Sequence, residues 1–207
     1  MKVMLFGGSF NPPHLGHQQM TTAVLKAQLA DQLWYLPVGI HDFAKPMVAA
    51  QHRYQMLKLV LPQLGSQYFG RMRVEDCELR RSGVSHTADT LDYLSARYPQ
   101  HQFSFLLGSD NLAKLHLWSD QKGRDFHYLL DHYQVFVYPR AGYPFKPFYP
   151  ALIALTDLPE VEIASSTVRQ LLLERTDFRQ LTEWLDPAVI DYIKQERLYA
   201  SKGLNND

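Results

Sequence analysis

Val3-Met4-Leu5-Phe6-Gly7-Gly8-Ser9-Phe10-Asn11-Pro12-Pro13-His14-Leu15-Gly16-His17 is the stretch whose reading decides the fold. Its first four residues are apolar without alternation, the pattern of a strand buried on both faces. Two glycines break the run, and a helix-like pattern takes over near Leu15. A strand that breaks into glycines and re-enters a helix gathers backbone N–H groups at a positive helix end, where phosphate binds. Gly7, Gly8, Ser9 and Phe10 make that turn. His14 and His17, three residues apart, sit on one side of the first helical turn and face the same ligand. Phosphate chemistry is the expectation.

Outward from this stretch, short β-rich runs alternate with helical patterns. A helix over Leu15–Ala30 carries Met20, Ala23, Val24 and Ala27 on one face, and Leu33–Val38 is a second strand. Ala49–Leu64 is helical, with a stripe of Met56, Leu57, Val60 and Leu61, and Met72–Leu79 is a third strand. Thr87 is an expected N-cap for a helix that Pro99 stops. Phe103–Leu107 and Gln134–Tyr138 are further strands on either side of a helical stretch to His132. Arg140–Pro150, rich in proline and aromatics, reads as an ordered surface loop, and Glu160–Ile163 as the last strand. Helices over Ser166–Arg175 and from Asp186-Pro187 to Arg197 complete the chain. Repeated strand–helix alternation predicts an α/β, doubly wound parallel sheet with right-handed crossovers and a small C-terminal helical part. One domain over 1–200 is expected, with a frayed tail over 201–207. In such a sheet, ligands bind beyond the carboxyl ends of the strands at the switch point.

The bulk numbers fit a soluble globular chain: 207 residues, 46% hydrophobic, 20% charged and a formal net charge of zero. The charge balance argues against a large nucleic-acid surface, so any anion site is a local arrangement. A single cysteine, Cys77, excludes an internal disulfide and fits a reducing compartment. With neither a signal-peptide pattern nor a membrane-length apolar run, a cytoplasmic enzyme is expected.

The glycine turn matches neither the dinucleotide-binding fingerprint nor a P-loop. With His14-Leu15-Gly16-His17 and the late Ser165-Ser166-Thr167-Val168-Arg169, the chain resembles the nucleotidylyltransferase superfamily, whose signatures are His-x-Gly-His and Ser-Ser-Thr-x-x-Arg. That resemblance implies a Rossmann-like fold and ATP as a substrate. It places His17 at the α-phosphate and His14 beside it along the triphosphate. Gly16 then leaves room for the nucleotide. Ser165, Ser166, Thr167 and the fork of Arg169 are implied donors to the β- and γ-phosphates. The structural alternatives are a capping or core histidine pair and an arginine on a solvated helix face. A zinc site is disfavoured because no third ligand follows at metal spacing. Lys45 lies in the loop after the second strand, where relatives carry a triphosphate-neutralising lysine, but its frame here is Ile40-His41-Asp42-Phe43-Ala44-Lys45-Pro46. An exposed loop lysine carries equal weight.

For the acceptor, Ser85-His86-Thr87-Ala88-Asp89-Thr90-Leu91 and Gly108-Ser109-Asp110 with Trp118 resemble the nicotinate-nucleotide adenylyltransferase family. The resemblance implies Trp118 stacked on a pyridine ring, main-chain N–H groups near Thr87 and at Ser119 receiving its carboxylate, and Asp110 on the adenosine. It implies adenylyl transfer from ATP to nicotinate mononucleotide, with Mg²⁺ held through the phosphates. The alternatives are nicotinamide mononucleotide or phosphopantetheine as acceptor, and, in another class, a non-catalytic nucleotide-binding or sensor module. The remaining histidines are scattered, and Glu75-Asp76 reads as a solvated strand end. Tyr143, Phe145, Phe148 and Tyr149 read as loop packing, with a homo-oligomer contact as the alternative.

Overall fold

Alternate residues of the four central strands enter two different cores, and the helices pack on these two faces. Met4 and Phe6 of the first strand, with Leu33 and Tyr35 of the second, pack into one apolar cluster. Val3, Leu5, Trp34 and Leu36 pack into another on the opposite face. The period of two thus explains why these strands read as continuous apolar runs: neither face meets water. The structure, a computed structural model, describes residues 1–40, 47–174 and 178–200.

The six strands are β1 (Lys2–Gly8), β2 (Gln32–Pro37), β3 (Met72–Val74), β4 (Gln102–Gly108), β5 (Gln134–Tyr138) and β6 (Leu152–Ala154). They form one sheet in the order β3-β2-β1-β4-β5-β6, with every pair parallel. The chain order reverses between β1 and β4, where Leu5 pairs with Trp34 on one side and Phe105 on the other. The α/β doubly wound fold is therefore as the sequence predicts, and the switch-point crevice opens at the glycine turn. The helices are α1 (Leu15–Lys26), α2 (Ala50–Val60), α3 (Thr87–Arg97), α4 (Leu112–Leu115), α5 (Phe126–His132), α6 (Ser165–Leu173), α7 (Phe178–Leu181) and α8 (Pro187–Gln195). The cluster on one face draws on α1, α2, α6 and α8, and that on the other on α3, α4 and α5.

Several boundaries differ from expectation, each for a local reason. The sixth strand is Leu152–Ala154 beside β5, whereas Val161, in the run expected to be the last strand, makes only an isolated bridge to Arg140. A three-residue edge strand beside a proline-rich loop carries too short a pattern to read. β3 is confined to Met72–Val74, and Glu75 beyond it is buried against Arg73 rather than solvated. His86, not Thr87, occupies the N-cap position of α3, without a side-chain capping bond. α1 stops at Lys26, four residues before the expected Ala30. There Gln28 takes a left-handed φ of 54° while its N–H meets Leu25 O and that of Leu29 meets Val24 O, the paired bonds of a Schellman turn. α8 ends the same way, with Arg197 at φ 52°. Neither turn uses glycine, so composition does not announce them. No helix among the described residues is long and apolar enough to cross a membrane.

Candidate active site

The phosphate end is built where β1 turns into α1. The His14 N–H donates to His17 Nδ1 at 3.0 Å, and the two rings stack with centroids 3.6 Å apart. A nitrogen that accepts an N–H bond carries no proton, so His17 is fixed as the neutral tautomer with its hydrogen on Nε2. Burial, and then the charge of Arg140, lower its pKa from the usual value to about 3. Burial, then His17 and Arg140, hold His14 well below the ordinary histidine range as well. Edge contact with Phe10 at 4.9 Å fixes the His17 ring from the core side. His14 Nδ1 is buried with no hydrogen-bond partner among the described residues, a cost a ligand would remove. At Gly16 an added Cβ would stand 2.6 Å from Val161 Cγ1 and 3.0 Å from His14 Nδ1, so a side chain would push Val161 aside and crowd the first histidine.

The late motif docks directly on this turn. Ser165 Oγ donates to Pro12 O at 3.0 Å and Arg169 Nη1 to Asn11 O at 2.8 Å. Ser166 and Thr167 are exposed in the first turn of α6, where backbone donors point outward. The structure therefore brings the two motifs together across more than 150 residues of chain. Phe10 is different: its ring is buried against Phe6, His17 and Tyr35, with φ at 47°, so only its backbone faces the turn. Lys45 lies outside the described residues.

Two arginines that sequence reasoning missed complete this end. Arg140 follows the carboxyl end of β5 in a loop read only as surface; its side chain is largely but not fully covered, donates to Ile163 O at 2.6 Å and lies 3.8 Å from Asp110. Position was the available signal, since residues just past a parallel strand's carboxyl end face the crevice. Arg53 of α2 is 1% exposed and donates to Ser9 O, Val48 O and Gly39 O, joining the glycine turn to the end of β2. Nothing in the local sequence separates it from a helix-surface cation.

From Gly7, Gly8 and Ser9 a cavity of about 520 Å³ extends between α3 and the segment after α4. Thr87, Trp118, Ser119 and Asp110 line it, with Phe105 meeting the Trp118 ring edge-on at 6.2 Å. Trp118 is only partly buried, so it is not a plain core tryptophan. Asp110 is exposed inside a single 3₁₀ turn, Ser109–Asn111, rather than capping it. Glu78, also unforeseen, is a buried carboxyl on the cavity wall; burial raises its pKa, and it accepts from Thr90 Oγ1 at 2.8 Å.

A parallel α/β sheet with neutral imidazoles, an arginine and helix N-termini gathered at its switch point defines a nucleotidyltransferase, and residues 5–171 match the cytidylyltransferase-like family model. The nicotinate-nucleotide adenylyltransferase of Bacillus subtilis is 34% identical over 203 residues, 97% of this chain and 99% of that one. The chain belongs to the cytidylyltransferase-like family and, within it, to the nicotinate-nucleotide adenylyltransferases. Among solved structures, nicotinic acid mononucleotide adenylyltransferase of Plasmodium falciparum complexed with NaAD superposes with a TM-score of 0.78 at 22% identity. That match covers 96% of this chain and 97% of the other. The same protein complexed with APC gives 0.76 at 21% identity, covering 96% of each chain. These likenesses match the fold.

Proposed function

We propose that this enzyme joins ATP and nicotinate mononucleotide into deamido-NAD and pyrophosphate, a step of NAD biosynthesis. The observation that carries the reading is the continuity of the site. The cavity starts at Gly7, Gly8 and Ser9 of the glycine turn that leads into His14 and His17, and ends on Trp118, Thr87 and Ser119, so the turn that carries the histidines also opens a pocket suited to a flat ring.

An oxygen of the acceptor's phosphate attacks the α-phosphorus of ATP; the bond to the bridging α–β oxygen breaks and pyrophosphate leaves with that oxygen. No protein nucleophile is needed, so positioning and charge stabilisation carry the rate. His17 Nε2–H is a neutral donor aimed at the α-phosphate as negative charge builds, and it stays neutral because Nδ1 is already committed. Arg169, with its remaining N–H groups, and the exposed start of α6 hold the outer phosphates; Arg140 adds a cation beside the histidines. Lys45 is kept as a further catalytic cation and Asp110 as an adenosine contact.

Mg²⁺ is proposed as an ion carried on ATP. The donors at the phosphate end suit phosphate oxygens rather than a bare cation, and among the described residues no three His, Cys, Asp or Glu side chains group as a metal cage. Bound to the triphosphate and water, Mg²⁺ would offset phosphate charge. The single cysteine supports a reducing, cytoplasmic setting.

Pyrophosphate release from ATP, measured in parallel with nicotinate mononucleotide, nicotinamide mononucleotide and phosphopantetheine, tests the reading. Nicotinate mononucleotide is expected to give the highest kcat/KM. Comparable rates with both pyridine substrates refute strict nicotinate preference, and ATP binding without release from any acceptor turns the reading to a nucleotide-binding module.

A further inference from the structure

The far end of the cavity carries a charge cluster of which only Asp89 belongs to a sequence motif. Residues 119–125 form a short hairpin closed by an antiparallel bridge between Ser119 and Asp125, with Asp120 N–H donating to Arg124 O at 2.9 Å. From this hairpin Arg124 reaches across to α3. Its Nε donates to Asp120 Oδ2 at 2.6 Å, Nη1 to Asp92 Oδ2 at 2.5 Å and Nη2 to Asp89 Oδ1 at 2.7 Å. Lys122 Nζ meets the same Asp89 oxygen at 2.7 Å, and Tyr133 and Tyr128 hydroxyls donate to Asp92. The guanidinium also lies 4.4 Å over the Tyr128 ring.

Position gives this cluster its meaning. Arg124 and Asp120 line the same cavity as Thr87, Trp118 and Ser119. Asp89 is in the first turn of α3, two residues from Thr87, and Asp120 follows Ser119 directly. Three carboxylates beside a pocket proposed for an anionic ring substituent would repel it, were they not met by one guanidinium bonded to all three and by Lys122. The same guanidinium ties the hairpin to α3, and so sets how far the main-chain N–H of Ser119 stands from that of Thr87. A carboxylate needs two donors at a fixed spacing and a non-negative surround; a carboxamide does not need the second.

We propose that Arg124 is a specificity-determining positioning residue: by bracing the 119–125 hairpin against α3 and neutralising Asp89, Asp92 and Asp120, it sets the preference for an acceptor whose ring bears a carboxylate. The inference rests on the acceptor assignment proposed above.

The test is Arg124→Gln in the full chain, with kinetics on ATP, nicotinate mononucleotide and nicotinamide mononucleotide. The expected result is a tenfold or greater rise in KM for nicotinate mononucleotide, ATP KM within twofold, and a tenfold fall in the nicotinate-to-nicotinamide ratio of kcat/KM. Adding Asp89→Asn removes one of the three negative charges and is expected to restore part of that ratio. Should Arg124→Gln not fold, Asp89→Asn alone is expected to raise the ratio. Equal losses for both pyridine substrates, or an unchanged ratio in Asp89→Asn, overturn the inference while leaving the acceptor assignment standing. A wild-type enzyme that uses neither pyridine nucleotide overturns the assignment and the inference together.

Discussion

His17 shows how one backbone bond settles a side chain's chemistry. With Nδ1 accepting from the His14 N–H, only Nε2 is left to act, as a donor. Replacing His17 with alanine removes a donor that acts as charge develops, so kcat is expected to fall by about 10²- to 10³-fold while KM for ATP stays within a few-fold. Steady-state pyrophosphate release measures this, and near-normal turnover would refute the role. The same residue predicts a pH effect. Its folded pKa, about 3, lies below the unfolded value near 6.5, so between those values the unfolded chain binds more protons. Its contribution to stability is full above about pH 6.5 and is lost as pH falls toward 3, with His14 acting in the same direction. Urea midpoints should therefore decline from pH 7 to pH 5, and the decline should be smaller in His17→Gln.

At the scale of elements, the site depends on how helices end and dock. Asp186 caps α8, accepting the Ala188 N–H at 2.9 Å, with Pro187 in the first turn. α8 presents Tyr192 to His52 of α2, and the turn beyond it carries Tyr199, whose hydroxyl donates to Asn11 Oδ1 at 2.8 Å. Asp186→Ala is expected to cost about 1 kcal/mol and lower Tm by about 2–4 °C, measured by thermal unfolding. That cap was legible as Asp-Pro before an apolar stripe. The ends of α1 and α8 were not, because Gln28 and Arg197 hold left-handed conformations that their sequence does not favour. β6 was missed for a related reason: a three-residue edge strand is defined by its pairing with β5, not by its own pattern.

On the scale of the whole molecule, the order of the strands gathers residues from every third of the chain at one edge. Arg140 is the clearest product of this convergence, linking Ile163 O and Asp110 and lowering the pKa of both histidines. Arg140→Ala is expected to raise KM for ATP about tenfold, the size of one lost charge-assisted contact, and to let the His17 pKa rise while burial keeps it below its ordinary value. Steady-state kinetics and an NMR titration of the His17 ring separate the two effects. The sequence alone determined the parallel α/β architecture, the glycine turn with His14 and His17, and the second motif at Ser165–Arg169, because apolar periodicity and strand–helix punctuation are local. Only the tertiary structure decided that Arg169 and Ser165 hydrogen-bond the first turn, that Arg53 braces the glycine turn and Arg140 bridges Ile163 and Asp110, and that Arg124 gathers three aspartates beside Trp118. A charged side chain reads the same in sequence whether solvated or buried; long-range packing alone supplies its partners.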